Sequence, residues 1–207
     1  MASKRGPYAK TDGRRRELGR AALALVQEKG HRQVAVAEVA DRAGVSEPTV
    51  FYHFPTKDHL LIAALEQFDD EHIRPEGLEA GAIADMGRRA EKGVRRRHIP
   101  QLYAETVGAS VDPEHPANGY VRARQERSMR VIATDIRLLQ DLGMVPGGLD
   151  AAAAARTLLA AWEGLQLQWL QGPAFDIRAQ IEWNIEHLLG ANALEPHQRP
   201  GEPEPSS

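Results

Sequence analysis

Hydrogen-bond donors and acceptors follow closely on one another between Ser46 and Lys57. The hydroxyl of Thr49, the phenol of Tyr52 and the imidazole of His53 can each bond a base edge or a phosphate oxygen. Lys57 stands at the expected start of a helix, where its charge opposes the helix dipole, so another role must explain it. Free N–H groups at a helix start and an ammonium group converge on the same anion, and a phosphate suits both. These residue types therefore predict recognition of a polyanion.

Two short helices joined by a turn would present these side chains, and the sequence from Val36 to Phe54 predicts them. Apolar residues recur at helical spacing in the first helix, and Gly44 can adopt the left-handed conformation that reverses the chain. Ser46 is expected to cap the second helix, which starts at about Glu47. Pro48 lies in its first turn, where a proline forfeits no needed donor.

The second helix is expected to have two faces. Val50, Phe51 and Phe54 are predicted to pack back on the first helix, while the polar residues between them face outward. Tyr52 is left without a partner, which is unusual exposure for a tyrosine. A two-helix unit of this kind can place its second helix in the major groove of DNA. The alternative is a structural hairpin that binds nothing, because helical hairpins are common.

The residues themselves also resemble a known family. From Arg14 to Phe68 the chain is similar to the DNA-binding domain of the TetR family of one-component regulators. The resemblance rests on A-x-x-A-G-V-S from Ala40 to Ser46, on F-Y-x-F from Phe51 to Phe54, and on P-[ST]-K-[DE]-x-L from Pro55 to Leu60. The remainder of the chain resembles the family only in helical layout and size.

This resemblance implies an all-α protein with an N-terminal three-helix, helix-turn-helix DNA-binding domain. It also implies a C-terminal helical bundle for ligand binding and dimerisation. The implied contacts to double-stranded DNA are Thr49, Tyr52 and Lys57, then Ser46, Glu47, Pro48 and His53, with basic support from Arg14. In the family, the lysine that matches Lys57 contacts the DNA backbone.

Ala35 departs from the family pattern. The family usually has Ser or Thr at this position, which caps the first helix of the pair and often contacts a phosphate. Ala35 can do neither, and the loss of a cap costs about 1 kcal/mol. Glu38 in the first turn is expected to compensate in part through the helix dipole.

Composition and charge narrow the class of protein. The chain of 207 residues has no cysteine, which excludes disulfides, thiolate catalysis and cysteine-ligated metals. No apolar run approaches the ~20 residues of a membrane span, so we expect a cytoplasmic protein without a membrane partner.

Residues 1–60 hold 11 Lys or Arg against 7 Asp or Glu, although the whole chain carries a net charge of −3. A basic end suits a protein that presents that end to DNA, and the alternative is a solvated tail.

Helical periodicity and turn-forming residues divide the chain into segments. Residues 1–12 are predicted to be a disordered basic arm, and residues 13–56 the helix-turn-helix domain. Residues 57–190 are predicted to form the ligand-binding and dimerisation domain, in which 57–73 are a connecting helix. Residues 191–207, rich in Pro and Glu, are predicted to be a disordered tail.

The last two helices carry apolar stripes that one small body cannot cover. From Ala151 to Trp169, apolar residues repeat at alternating spacings of four and three, a heptad seam that needs another helix against it. A similar stripe follows the break at Gly172. We therefore expect a homodimer with a four-helix interface, and the alternative is packing within one chain. The predicted interface residues are Leu158, Leu165, Trp169, Ile177, Ile181, Ile185 and Leu188.

By resemblance to the family, a small-molecule effector binds inside the C-terminal bundle and changes the separation of the two reading heads, the helix-turn-helix domains of the two protomers. An apolar cavity with aromatic and a few polar groups is the usual form of such a site. The predicted lining residues are Tyr103, Met129, Ile132, Trp162 and Gln166. Ordinary core packing is the alternative for them. The predicted function is a repressor that binds a pseudo-palindromic operator and is released by a small, largely apolar molecule.

Two other functions remain open. One is a regulator of the same fold that has no ligand, acts with a partner protein and has a filled bundle. The other is a helical enzyme that depends on His72, Glu76 or His98. The sequence lacks a G-x-S-x-G motif, a P-loop and a dinucleotide fingerprint, so no enzyme is predicted. The acidic residues Asp69 to Glu71 could ligate a metal with His72 and Glu76, but such a cluster at a helix end is usually solvated, and no metal or cofactor is predicted.

Overall fold

The computed structural model of the chain describes residues 7–72, 80–172 and 175–196. In these ranges the regular secondary structure is helical, which confirms the all-α prediction. The helices in chain order are α1 (Pro7–Lys29), α2 (Val36–Arg42), α3 (Glu47–His53), α4 (Lys57–His72), α5 (Met86–Arg95), α6 (His98–Ala109), α7 (Ala117–Asp141), α8 (Ala151–Gln171) and α9 (Ile177–Leu189). Short 3-10 turns lie at His31–Gln33 and Ala191–Leu194. None of these helices is long and apolar enough to cross a membrane.

Both terminal segments contain ordered structure where disorder was predicted. α1 begins at Pro7, so residues 7–12 of the predicted arm are helical, and the residues before Pro7 lie outside the described part. Proline suits the first position of a helix because its missing N–H would have no intrahelical partner. At the other end, residues 191–194 form a 3-10 turn in which Ala193 is fully buried. Of the predicted tail, residues 197–207 lie outside the described part.

One compact unit contains α1 to α4, α6 and the start of α7 as far as Val121. α1 and α4 pack along each other, and Gly19 permits their close approach. A Cβ at Gly19 would lie only 3.0 Å from the carbonyl oxygen of Ala63. Leu60 of α4 shares one buried core with Val50 of α3, so this unit does not end at the predicted boundary after residue 56.

α6 completes the core of this first unit. Ile99, Leu102 and Tyr103 are at most 5% exposed and belong to the same apolar cluster as the buried residues of α1 and α4. The N-terminal end of α6 lies against the turn that follows α1. Gly30 has a φ of 84°, and a Cβ there would lie 3.0 Å from Nδ1 of His98. Glycine is therefore required at this position for its backbone conformation and for its small volume.

A second compact unit contains α5, α7 from Arg122 onward, α8 and α9. α5 and α9 approach closely at Gly87, where a Cβ would collide with the side chain of Glu182. α8 and α9 begin after Asp150 and Asp176, whose carboxylates each accept two first-turn N–H groups. The buried core of the unit includes Ile83, Met86, Ile132, Ile136, Leu139, Ala155, Leu158, Trp169, Ile181, Ile185 and Leu189.

Asp135 of α7 is a fully buried carboxylate in the second unit. It accepts hydrogen bonds from the backbone N–H of Gly81 at 3.0 Å and of Ile83 at 2.9 Å. A buried charge is tolerated only with partners of this kind. Asp135 thus fixes the turn that leads into α5 against α7.

Candidate nucleic-acid interface

The turn between α2 and α3 has the conformation that the sequence predicted. Gly44 has a φ of 65°, and its N–H donates to the carbonyl of Asp41 at 3.1 Å. The N–H of Val45 donates to the carbonyl of Ala40 at 3.0 Å, which satisfies another free carbonyl at the end of α2. Apart from Gly44 and its two chain neighbours, no atom of the described residues lies within 4 Å of the place where a Cβ of Gly44 would stand. The backbone angle, and not a lack of space, therefore requires glycine here.

The start of α3 differs from the prediction in one respect. Ser46 precedes the helix in the extended conformation of a capping residue, but its hydroxyl makes no hydrogen bond to the helix backbone. Instead, Oγ of Ser46 lies 2.9 Å from Oγ1 of Thr49. Either hydroxyl can be the donor of this hydrogen bond, because each can both donate and accept. The two hydroxyls form a linked polar pair at the N-terminal end of α3, next to the exposed Glu47 and Pro48.

The outward face of α3 is more apolar than predicted. Val50 and Phe54 are each 1% exposed and join the core, as predicted, but Phe51 is 46% exposed. α3 has only seven residues, and its one buried stripe passes through positions 50 and 54, four residues apart. Phe51 falls beside that stripe and next to Tyr52, which is 81% exposed. The two rings give the interface an apolar patch that the sequence analysis did not assign to it.

His53 ends α3 and is partly buried. Burial, followed by the charges of Arg15 and Arg14, lowers the pKa of His53 below its usual value. Its imidazole is therefore neutral at neutral pH, with one ring nitrogen to donate and one to accept. The ring of Tyr52 meets that of His53 edge to face, with centroids 5.1 Å apart.

Arg15 is a residue of this interface that the sequence analysis missed. Its Nη1 donates to the carbonyl oxygen of His53 at 2.5 Å, and its Cζ lies 4.5 Å from the centroid of the Phe54 ring. Arg14, the arginine that was selected instead, pairs with Glu17 at 2.7 Å on the surface of α1. The run Arg14 to Arg16 showed that a basic group was present, but sequence spacing could not show which side chain reaches α3.

Lys57 is the first residue of α4, as predicted. Its Nζ lies 3.4 Å from the carbonyl oxygen of Arg32, and no carboxylate partner is shown for it in the described residues. Thr56 caps the helix only weakly, because its Oγ1 is 3.4 Å from the N–H of His59. The ammonium group and the first N–H groups of α4 thus remain available to an anion.

At the start of α2, Glu38 compensates for Ala35 through a hydrogen bond. Its carboxylate accepts the N–H of Ala35 at 2.9 Å and also pairs with Lys29. The hydrogen bond from Lys29, followed by that from Ala35, lowers the pKa of Glu38 below its usual value. This is half of a capping box, and the missing half is the side-chain hydroxyl that alanine lacks.

The predicted ligand-binding residues fall into both units. Tyr103 is buried in the core of the first unit, whereas Met129, Ile132, Trp162 and Gln166 belong to the second. The second unit has an open hollow of about 550 Å³ between the turn that follows α7 and the end of α9. It is lined by residues 143–146 and 186–192 and includes none of the five. The ligand site therefore stays a prediction.

The predicted dimer residues are largely used within the chain. Leu158, Trp169, Ile177, Ile181 and Ile185 are at most 8% exposed in the single chain, because α8, α9 and their neighbours already cover them. Leu165 and Leu188 are half-buried. The heptad seam is thus satisfied mainly within one chain. The large apolar residues that α8 and α9 expose are Leu167, at 48%, and Trp183, at 51%.

The acidic cluster at the end of α4 has structural roles. Asp69 is buried and accepts a hydrogen bond from the phenol of Tyr120 at 2.9 Å. His72 stacks on Phe68, with ring centroids 4.1 Å apart. Glu76 lies outside the described residues, within which no group of three or more His, Asp or Glu is placed to hold a metal.

Comparison with known proteins agrees with the fold. Residues 19–64 match the family model for bacterial regulatory proteins of the tetR family. The transcriptional repressor KstR of Rhodococcus jostii is 27% identical over 88% of this chain and 86% of that protein. The A-factor receptor protein of Streptomyces griseus is 22% identical over 84% of this chain, which spans 62% of that protein's length.

A solved structure shows the same fold. It is a transcriptional regulator from Saccharomonospora viridis in complex with choline, 25% identical, with a TM-score of 0.63 over 86% of this chain and 98% of that one. Together, these matches confirm the predicted family resemblance and the all-α fold with an N-terminal helix-turn-helix domain. The matched residues 19–64 include all of α2 and α3, and by name both KstR and the Saccharomonospora protein are regulators of transcription.

Proposed function

We propose that this chain is a dimeric repressor of the TetR family of bacterial regulatory proteins, released from its operator by a small molecule, and the match of residues 19–64 to the family model supports this. The observation that carries the proposal is the surface of α3. Tyr52 is 81% exposed beside the hydroxyl pair of Ser46 and Thr49, and the ammonium of Lys57 follows at the start of the next helix. Donors, acceptors and a cation so arranged suit the major groove and its flanking phosphates.

The residues divide by role. Thr49 and its neighbours Glu47 and Pro48, at the start of α3, reach base edges and read sequence. Tyr52 and Lys57 bind phosphate or sugar and fix the register of the protein on the duplex. Ser46 orients the hydroxyl of Thr49, while His53 and Arg14 add support at the edge of the contact. A regulator of this kind works where the bacterial DNA lies, in the cytoplasm.

Two protomers would bind the two halves of a pseudo-palindromic operator, since operator symmetry mirrors that of the protein. We propose that the outward faces of α8 and α9 form the dimer contact. Leu167 and Trp183 are the large exposed apolar residues there, and Leu165 and Leu188 of the same two helices are half-buried. An exposed tryptophan is the type of residue that dominates binding energy at interfaces.

The effector would be a small, largely apolar molecule bound in the α7 and α8 region of the second unit, where Met129, Ile132, Trp162 and Gln166 lie. The solved regulator that was bound to choline supports the idea that this fold accommodates a small molecule. Such a ligand releases DNA only if it binds one conformation better than the other. A ligand-free regulator of the same fold is the second candidate, because Ile132 is 7% exposed and belongs to a packed core.

The test measures binding of the purified protein to the DNA upstream of its own gene. Fluorescence anisotropy at several salt concentrations gives the affinity. We expect saturable binding at two protomers per site, a steep negative salt slope and a preference over scrambled DNA of the same composition. Equal, weak binding to every genomic fragment tried would refute the proposal. A ligand screen on the bound complex then separates the two candidates, because only the first predicts release.

A further inference from the structure

The C-terminal end of α3 has an unusual attachment. The last carbonyl groups of any helix lack intrahelical donors, and a helix of seven residues is too short to hold its own orientation. Val50 and Phe54 anchor its inner face. The carbonyl of His53, the last residue of α3, is bonded by a side chain of another helix, the guanidinium of Arg15 in α1.

We propose that Arg15 is a positioning residue for DNA reading, which clamps the C-terminal end of α3 to α1 and thereby sets the orientation of the recognition helix. The inference rests on the proposed function, because it assumes that α3 reads DNA. It extends that function by assigning sequence discrimination in part to a residue of α1. Arg15 would act through α3 rather than by contact with a base.

Two separate contacts define the clamp. Nη1 of Arg15 donates to the carbonyl oxygen of His53 at 2.5 Å, and Cζ of Arg15 lies over the ring of Phe54, 4.5 Å from its centroid. The ring is 1% exposed, so it is itself fixed in the core. A charged donor to a helix-terminal carbonyl is stronger than a neutral one, and it also suits the negative end of the helix dipole.

The base of the clamp is rigid. Arg15 stands three residues before Leu18, which is fully buried in the core of the first unit. α1 packs on α4 along the close approach at Gly19, so the backbone of Arg15 has a fixed place relative to α4. A short helix tied at its end to a rigid neighbour keeps one orientation, and base contacts require placement within a fraction of an ångström.

The chemistry calls for arginine and not merely for a cation. A guanidinium can stack on a ring and donate from its edge at the same time, because its donors lie in one plane. An ammonium group can replace the charge and the hydrogen bond but not the contact that the guanidinium carbon makes over the Phe54 ring. The conservative variant Arg15→Lys should therefore restore only part of what Arg15→Gln removes.

A direct phosphate contact is the competing role for Arg15, and it makes a different prediction. Loss of a phosphate contact weakens binding to every DNA sequence alike and reduces the salt slope by about one unit. Loss of a positioning residue weakens binding to the operator more than to unrelated DNA. The ratio of specific to non-specific affinity is thus the deciding quantity.

The first experiment measures binding of the full chain to operator and to scrambled DNA for wild type, Arg15→Gln, Arg15→Lys and Arg16→Gln. Arg16 is exposed and adjacent, so its variant removes the same charge from the same turn. We expect Arg15→Gln to lower the affinity for operator DNA by about tenfold and the affinity for scrambled DNA by about twofold. The operator affinity of Arg15→Lys should lie between those of wild type and Arg15→Gln. An equal loss on both DNAs, or a loss matched by Arg16→Gln, would overturn the proposal.

A second measurement needs no DNA. Burial and then the charge of Arg15 lower the pKa of His53, so titration of the His53 imidazole by NMR reports whether that charge lies beside the end of α3. We expect its pKa to rise in Arg15→Gln, to stay low in Arg15→Lys and to be unchanged in Arg16→Gln. An unchanged pKa in Arg15→Gln would contradict the contact. If wild type binds no DNA, the proposed function fails, while this titration still tests whether the guanidinium of Arg15 lies at the end of α3.

Discussion

Nε2 of His31 lies 2.8 Å from Oε2 of Glu105, which joins the turn before α2 to α6 across 74 positions of sequence. The imidazole is 7% exposed, and its Nδ1 has no hydrogen-bond partner in the described structure. The other carboxylate oxygen of Glu105 accepts from Arg32 at 2.7 Å. One carboxylate of α6 thus holds two consecutive residues next to the helix-turn-helix.

Glu105→Gln should make the protein less stable at neutral pH and less sensitive to acid. Burial opposes ionisation of Glu105, but hydrogen bonds from His31 and Arg32 outweigh it and lower its pKa. A lowered pKa in the folded state contributes stability above the unfolded value near 4.3, and this contribution is lost as pH falls through the folded pKa. We expect a deficit of about 0.5–1 kcal/mol at pH 7, since the side chain is half-exposed.

Urea unfolding between pH 3 and pH 7 measures this difference. The deficit of the variant should begin to shrink as the pH falls below the unfolded value near 4.3, and it should vanish once the pH is below the lowered pKa of folded Glu105. Glu114→Gln is the control, because Glu114 is exposed in the loop before α7. A deficit that is constant across the pH range would show that the charge of Glu105 has no part in it.

Ala35→Ser should stabilise the first unit. Ala35 already has the extended conformation of a capping residue, and Glu38 already accepts its N–H. A serine hydroxyl would accept the N–H of Glu38 and complete the capping box, for a gain of about 0.5–1 kcal/mol. Thermal unfolding measures the gain. Ala37→Ser places the same hydroxyl inside α2 and should give no gain; equal effects at the two positions would count against capping.

Lys57→Ala should weaken binding to all DNA sequences by a similar factor. The residue stands at the start of α4 with no carboxylate partner shown in the described part, so a phosphate is the expected partner. Loss of one such contact reduces the salt slope by about one unit. Anisotropy titrations at four salt concentrations give that slope. Lys92→Ala, in the second unit, removes an equal charge and should leave the slope unchanged.

Thr49→Val should change sequence preference instead. Valine keeps the shape of threonine but loses the hydroxyl that lies 2.9 Å from Ser46. If this hydroxyl contacts a base, one operator position should lose about 1–3 kcal/mol of discrimination. Binding to a library of single base-pair changes locates that position. Thr157→Val, on α8, is the matched control, and a uniform loss over all positions would exclude base reading by Thr49.

Trp183→Glu and Leu167→Glu should weaken the dimer. Both side chains are about half-exposed on the outward faces of α9 and α8, and burying a carboxylate at an apolar contact is costly. We expect the dimer dissociation constant to rise at least about tenfold, as measured by sedimentation equilibrium. Val111→Glu alters an exposed apolar residue of the first unit and should have no effect. Unchanged association in both variants would contradict the proposed contact through α8 and α9.

Local signals predicted the helix-turn-helix well. Gly44 marks a backbone conformation that few other residues adopt, and the motifs around it fix both helices to within a residue of their observed bounds. Pairings between distant residues were not predicted. Arg15 reaches His53 across 38 positions, and Glu105 reaches His31 across 74. The spacing of residues within one helix carries no information about which distant residue a side chain will contact.

The dimer prediction was limited by a related ambiguity. An apolar stripe on α8 shows that some helix must cover it, but it does not show whether that helix belongs to the same chain. α9 and its neighbours cover Leu158 and Trp169, and leave Leu167 exposed. Ser46 is a smaller example, because two hydroxyls three residues apart can bond each other as readily as the backbone.

The DNA-binding part of this protein cannot be excised at the end of α4. Its core includes Ile99, Leu102 and Tyr103 of α6, each at most 5% exposed. Glu105 of α6 also bonds His31 in the turn before α2. A fragment that stops at His72 would expose the apolar surface that α6 covers, and it would aggregate. A chimaera that exchanges DNA specificity between two regulators must therefore transfer residues 96–121 together with the N-terminal helices. These are two separate segments of the sequence.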